Sequence, residues 1–376
     1  MQFIDLAAQQ KRIRPQIEAG FKRILDHGQY ILGPEIGELE KKLAAFTGVP
    51  HALTVASGTD ALLMPLMAEN VGPGDAVFTS TFTFIATAGA IALTGATPVF
   101  VDIDGDTFNI DPRRLEEAIA RVGAEKKLNP RGVIPVDLFG QPAAYKAIQA
   151  IAGKYGLFVL EDAAQSFGAS QNGSKAGALA RVAGTSFFPA KPLGCYGDGG
   201  MIFTADKNIH EQLLSIRVHG QGSDKYTNVR IGINGRMDSL QAAVLLAKME
   251  IFPEEIELRQ EVAGRYDRLL AGAVQTPKVL EGNISAWAQY SIRHPRRDEI
   301  IQDLRKKEIP TAIYYPIPLH LQEAFRHLGY GQGDFPVAEK IAGEIFSLPM
   351  HPYLKKEAQE SICRIIQGAC RSPRTL

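Results

Sequence analysis

An apolar run that ends in a carboxylate, followed by an isolated lysine, is the part of this sequence best equipped for chemistry. The run is Leu157-Phe158-Val159-Leu160-Glu161-Asp162, continued by Ala163-Ala164-Gln165-Ser166-Phe167-Gly168. Four apolar residues in succession predict a strand buried on both faces. Asp162 then stands at the strand's carboxyl end, where open α/β sheets place their ligands. Further on, Gly184-Thr185-Ser186-Phe187-Phe188 reads as a short strand that breaks at Pro189 into a loop carrying Lys191 among apolar and small residues.

A carboxylate and a lone lysine brought together this way suit pyridoxal phosphate. That cofactor needs a lysine amine for its Schiff base and an acid against its pyridine nitrogen, so that the protonated ring can take up carbanion charge. Desolvation lowers a lysine's pKa and favours the imine, while a pyridinium partner keeps Asp162 ionised in apolar surroundings. The bland alternatives are a loop-capping aspartate and a solvated surface lysine.

The elements that must position these groups follow the chain in order. Residues 10–26 carry apolar positions at helical spacing and stop at Gly28; residues 35–46 form a second amphipathic helix. Residues 51–55 form the first strand, which breaks at Ala56-Ser57-Gly58-Thr59-Asp60 into a helix over residues 61–69 that Pro65 should kink. A turn of small residues entering a helix offers N–H groups and hydroxyls to a phosphate, or is simply an N-cap. After the strand over residues 76–80 comes Thr81-Phe82-Thr83-Phe84. Phe84 is the candidate to lie flat on a cofactor ring, although its spacing favours a core aromatic. Strands over residues 98–103 and 132–137 alternate with helices that begin near Asp111 and Lys146, which predicts a mostly parallel sheet with crossovers. A dinucleotide fold loses its main support because no G-x-G-x-x-G follows the opening strand.

Helices over residues 239–251 and 254–270 lead out of this large domain, residues 1–250. The remainder, residues 251–376, reads as a smaller C-terminal α/β domain. It holds an alternating strand over residues 287–293, a helix over residues 298–307 and the segment Thr311-Ala312-Ile313-Tyr314-Tyr315.

Composition removes other classes of function. With 376 residues, 45% hydrophobic and 22% charged, the chain is an ordinary globular protein. Lys plus Arg equals Asp plus Glu at 41 each, and without a basic cluster neither nucleic acid nor an anionic membrane is an expected partner. Cys195, Cys363 and Cys370 have neither metal-ligand nor disulfide-framework spacing, so no metal is expected and a reducing cytoplasm is. Cys195 reads as a small buried filler. Nothing resembles a secretory signal or approaches a membrane span.

Taken together, Ser57-Gly58-Thr59, Thr83-Phe84, Glu161-Asp162-Ala163-Ala164-Gln165, Ser186 with Lys191, and Gly232-Ile233-Asn234-Gly235-Arg236 resemble the DegT family of nucleotide-sugar aminotransferases, over nearly the whole chain. The resemblance implies a fold-type I, pyridoxal-phosphate-dependent enzyme acting as a homodimer with shared sites. It implies that Lys191 carries the cofactor, Asp162 pairs with the ring nitrogen, Gln165 contacts the ring hydroxyl and Phe84 stacks on the ring. Ser57, Gly58, Thr59 and Ser186 would hold the phosphate, with Asn234 reaching in from the other subunit. Dehydratase relatives carry histidine in place of the lysine, so Lys191 argues for amino transfer.

Many family members have an aromatic residue where this chain has Gly235. Asn234-Gly235-Arg236 with Tyr314-Tyr315-Pro316-Ile317-Pro318-Leu319-His320 resembles the branch acting on UDP-linked N-acetylated 3-keto-uronic acids. Arg236 can clamp a C6 carboxylate with a bidentate pair, and Gly235 should leave room for it; otherwise Arg236 makes a dimer salt bridge. Tyr314 and His320 are the further substrate candidates. The expected reaction transfers nitrogen from L-glutamate to the 3-keto carbon of UDP-2-acetamido-2-deoxy-3-oxo-glucuronate, for surface polysaccharide. The rivals are the same chemistry on a neutral dTDP- or UDP-keto-hexose, and a pyridoxal-phosphate-binding sensor or scaffold without turnover.

Overall fold

The computed structural model describes residues 1–371. Twelve strands are assigned among them: β1 (His51–Val55), β2 (Asp75–Ser80), β3 (Thr97–Val101), β4 (Asn129–Ile134), β5 (Phe158–Asp162), β6 (Ser170–Gln171), β7 (Ser174–Lys175), β8 (Val182–Ser186), β9 (Gly200–Thr204), β10 (Asn283–Ile284), β11 (Tyr290–Arg293) and β12 (Ile345–Leu348). Seven of them make one sheet in the order β1-β9-β8-β5-β4-β2-β3. All neighbours are parallel except β9, which runs against both β1 and β8. The carboxyl ends of six strands therefore share one edge of the sheet.

Alternation along each strand divides its side chains between two cores. Leu53, Val55, Val77, Val182 and Ile202 face the cluster built on the helix Gly58–Ala68 and the helix Lys207–Ile216. Their neighbours Ala52, Ala183, Met201 and Phe203 face a cluster with the helices Pro34–Thr47 and Ser239–Met249. Ala76, Phe78 and Val133 face the helices Pro112–Glu125 and Tyr145–Tyr155. Helix boundaries follow local chemistry: Gly28 ends the first helix, Leu6–His27, at φ 72°, and Asp111 caps the Pro112–Glu125 helix by accepting from the N–H of Arg113.

The smaller C-terminal α/β domain has its own core, in which the antiparallel pair β11–β12 packs with the helices Phe252–Leu270, Arg297–Arg305 and Lys356–Arg371. The segment over residues 311–315 joins this domain less than the sequence suggests: it adds a single bridge, Ala312 to Ser347, and no strand. Its tyrosines are drawn instead toward the edge where the large sheet's strands end.

Candidate active site

The turn after β1 closes into a helix whose first N–H groups point out of the sheet edge. Ser57 is the N-cap, and its Oγ accepts from the N–H of Asp60 at 3.1 Å. That leaves the N–H groups of Gly58 and Thr59, the first two residues of the helix, without an intrahelical acceptor at its positive end. The helix runs through Pro65 to Ala68. Ser186, the last residue of β8, comes so close that a Cβ on Gly58 would stand 2.5 Å from its Cβ and 2.9 Å from its Oγ. Two free N–H groups and a hydroxyl are thus near neighbours at the start of a helix, a set of donors that suits a phosphate.

Asp162 ends β5, one strand over. Its Oδ2 accepts from Thr87 Oγ1 at 2.8 Å and its Oδ1 from the N–H of Ala164 at 3.2 Å. Burial raises its pKa, opposed by those two donors and by the charge of Lys191. Glu161, its neighbour along the strand, turns to the other face, where it accepts from the N–H groups of Gly177 and Leu179. Behind Asp162 lies a second buried acid, Asp137. It accepts from Ser166 Oγ, Tyr145 OH and the N–H of Ala143, and burial pushes its pKa up to about 7.

Lys191 follows β8 in a loop turned by a 2.6 Å bond from its own N–H to Phe188 O. Its side chain is half-buried, and desolvation lowers its pKa while the nearby Asp162 carboxylate raises it. Its amine makes no hydrogen bond or ion pair with the described residues. A desolvated amine without a partner, facing an acid across a gap, is prepared for a bond that the chain itself does not supply.

Three aromatic rings edge that gap. Phe84 is 58% exposed, which overturns the core placement its spacing favoured: as the N-cap of the helix Ile85–Leu93 it projects from the sheet edge. The Tyr315 ring lies 6.5 Å from that of Phe84 and 5.8 Å from that of Tyr314. Gln165 Oε1 accepts from the N–H of Phe139 at 2.6 Å, and its Nε2 donates to Tyr315 OH at 3.3 Å. Both of its amide ends are thereby oriented. Thr87 is a member of the site that no local sequence signal picks out, and Tyr315 one that the sequence offered only inside the segment over residues 314–320.

The model of the DegT/DnrJ/EryC1/StrS aminotransferase family matches residues 11–367. The chain belongs to this family. Among its relatives, UDP-2-acetamido-2-deoxy-3-oxo-D-glucuronate aminotransferase of Pseudomonas aeruginosa is 50% identical over 96% of this chain and 98% of its own length. A crystal structure of a family aminotransferase from Brucella abortus superposes with a TM-score of 0.97 at 50% identity, covering 99% of this chain and 100% of that one. The structure of NtdA from Bacillus subtilis with bound cofactor PMP superposes at 0.88 and 28% identity, covering 96% of this chain and 82% of that one. As a member of the family the chain is a pyridoxal-phosphate-dependent aminotransferase. Its residues fit that cofactor: a helix N-terminus beside Ser186 for the phosphate, an unpartnered lysine for the aldehyde and a buried acid for the ring.

The structure also places the remaining expected residues. His320 is fully covered, with Nδ1 2.7 Å from Thr81 Oγ1 and Nε2 3.1 Å from Glu339 Oε1. Both ring nitrogens are engaged, so it braces the loop that carries Tyr314 and Tyr315 and is not open to substrate. Gly235 does not clear space in front of Arg236, because a Cβ there would meet Met64 Sδ at 3.0 Å, inside the chain. Its backbone instead packs on the Ser57 turn, with the N–H of Ala56 donating to Gly235 O at 2.9 Å. Arg236 is half-exposed and has no hydrogen-bond or ion-pair partner among the described residues, and Asn234 is exposed. Cys195 is buried, donates to Phe187 O, and has its thiol pKa pushed up to about 11 by desolvation, as suits a filler. Among the described residues no helix is long and apolar enough to cross a membrane, and no group of three or more His, Cys, Asp or Glu could hold a metal ion.

Proposed function

We propose that this aminotransferase moves nitrogen from L-glutamate to the 3-keto carbon of UDP-2-acetamido-2-deoxy-3-oxo-glucuronate, in surface polysaccharide biosynthesis. Bound pyridoxal phosphate supplies the electron sink for both halves of the exchange. The chain supplies position and proton transfer. Gly58, Thr59 and Ser186 hold the phosphate, Phe84 covers one face of the ring, Asp162 holds a proton on the ring nitrogen, and Gln165 meets the ring hydroxyl. Lys191 carries the cofactor at rest. Once freed, its neutral amine would move a proton from the nitrogen-bearing carbon of glutamate to C4′ of the cofactor in the first half, and from C4′ to C3 of the sugar in the second. The lowered pKa of Lys191 supports this role, since only an uncharged amine can accept that proton.

The observation that carries the substrate assignment is Arg236, without a partner among the described residues and next in the chain to Gly235, whose backbone bonds the turn before Ser57, together with the 50% identity to the Pseudomonas aeruginosa enzyme. A planar fork free of internal partners suits a uronate carboxylate. Shared sites in a homodimer are part of the same reading. Tyr226 and Ile231, on the segment leading to Asn234, are 86% and 84% exposed, a large apolar exposure for a chain that works alone.

Borohydride reduction of the loaded protein followed by peptide mapping tests the attachment: the label belongs on Lys191, and a label elsewhere ends the assignment. For the substrate, Arg236→Ala should cost about 1.5–3 kcal/mol with the uronic acid, or about ten- to a hundredfold in binding, and little with a neutral keto-sugar. Equal losses on both sugars would exclude the carboxylate role.

A further inference from the structure

Thr87 is a buried threonine in the first turn of the helix Ile85–Leu93, and its hydroxyl sits 2.8 Å from Asp162 Oδ2. A threonine hydroxyl has one proton to give. The other acceptors in reach, Phe84 O and Thr83 Oγ1, are both 3.4 Å away, so that proton goes to the carboxylate. Thr83, itself buried, can donate to Thr87 in turn. The first turn of a helix also presents its positive end to the same acid.

These donors matter because the surroundings of Asp162 oppose its charge. It is buried, and the second acid, Asp137, lies directly behind it, with the Asp137 N–H donating to Asp162 O at 3.1 Å. Glu161 is turned to the opposite face and the Tyr315 phenol stands nearby; among the described residues only Lys191 brings a favourable charge. With Ala164 fixing Oδ1 and Thr87 fixing Oδ2, the carboxylate is locked in one rotamer with lone pairs left over for a third donor.

We propose that Thr87 is a positioning residue of the transamination: its hydroxyl holds Asp162 in one orientation and keeps that acid an anion aimed at the ring nitrogen of pyridoxal phosphate. The proposal rests on the role given to Asp162 above. It also ties the two sides of the ring together, because the turn that ends in Phe84 starts the helix that carries Thr87.

The test uses the holoenzyme with Thr87→Val, which keeps the shape and removes the donor, Thr87→Ser, which keeps the donor, and Asp162→Asn. Two quantities are read: the pH midpoint of the lysine-linked cofactor's absorbance change, and the single-turnover rate with L-glutamate. In Thr87→Val the midpoint should move up, because a ring nitrogen that has lost its proton no longer repels the proton on the Lys191 nitrogen. The rate should fall about ten- to a hundredfold. Thr87→Ser should restore both, a recovery that a purely structural role would not tie to the donor. If valine prevents folding or loading, Thr87→Ala is compared with Thr87→Ser in the same way. Donor-less variants that titrate and react like the parent, while Asp162→Asn does not, overturn the proposal and leave Asp162 its role. If Asp162→Asn also behaves like the parent, the reading of Asp162 falls and the proposal with it.

Discussion

A Cβ placed on Gly58 would stand 2.5 Å from the Cβ of Ser186, so the Ser57-Gly58-Thr59 turn packs on the end of β8 with no room for a side chain at Gly58. Neither partner is the loose end of a flexible side chain. Gly58→Ala should therefore push the turn away from Ser186, at a cost of about 1–3 kcal/mol that appears as weaker cofactor retention. Adding Ser186→Gly removes the obstructing Cβ and should recover part of that loss despite deleting a hydroxyl. A titration of apoprotein with pyridoxal phosphate measures both, and a double variant weaker than Gly58→Ala would mean that the clash is not the cause.

Much of this site was legible because its parts sit where local chemistry changes abruptly. Asp162 ends an apolar run, Ser57-Gly58-Thr59 interrupts a strand before a helix, and Lys191 follows a proline break; each change marks a strand's carboxyl end, and the parallel sheet brings those ends to one edge. What escaped was pairing across the fold. Tyr315 reaches Gln165, and Thr87 reaches Asp162, through crossovers that leave no trace in either segment. His320 was expected at the substrate because it closes the segment over residues 314–320 that carries the resemblance, but Thr81 and Glu339 take both nitrogens from elements far apart in the chain. For Phe84 spacing alone favoured the core and only the resemblance pointed outward, since a strand-end aromatic has the same spacing whether it turns into the core or out of it.

If the active sites are shared between two subunits, a prediction follows that needs no ligand structure. Lys191→Ala should be inactive and Arg236→Ala should keep about a tenth to a hundredth of parent activity on the uronic sugar at limiting concentration, but if Arg236 serves the partner's Lys191, a mixed dimer holds one intact site. Random reassociation of equal amounts should then recover about a quarter of the parent activity, by the symmetry of a two-fold dimer. Activity that stays at background after verified subunit exchange would place both residues in the same subunit's site.

His351 should give the protein an acid-sensitive term away from the active site. It is buried, its Nδ1 has no partner among the described residues, and desolvation lowers its pKa from 6.5 to about 4. Between those values the unfolded chain binds the proton that the folded one refuses, so this contribution is complete above pH 6.5 and is lost as pH falls toward 4. Urea unfolding at pH 7 and pH 5 should differ by about 1–2 kcal/mol more in the parent than in His351→Leu. Equal differences in the two proteins would rule the residue out as the source.

Lys248 poses the opposite question, why an ammonium is buried at all. It is 1% exposed in the helix Ser239–Met249, with its Nζ 4.7 Å above the ring of Tyr196. Desolvation lowers its pKa from 10.5 to about 8, against the attraction of Glu255. Glu255 does not depend on it, because Gln9 donates to that carboxylate at 2.8 Å and Tyr353 donates to it as well. At neutral pH the lysine is thus held charged where charge is costly, and a buried ion of this kind is often exceeded in stability by an apolar side chain of the same length. Lys248→Met should stabilise the protein at pH 7 by about 1–3 kcal/mol. The sign with pH is fixed: between pH 8 and 10.5 the folded chain binds fewer protons than the unfolded one, so the parent gains on the variant as pH rises through that window. Melting temperatures of both proteins from pH 7 to 10.5 should converge. A variant less stable at pH 7, with a gap that does not narrow, would show instead that the ammonium's hold on Tyr196 and Glu255 outweighs its desolvation.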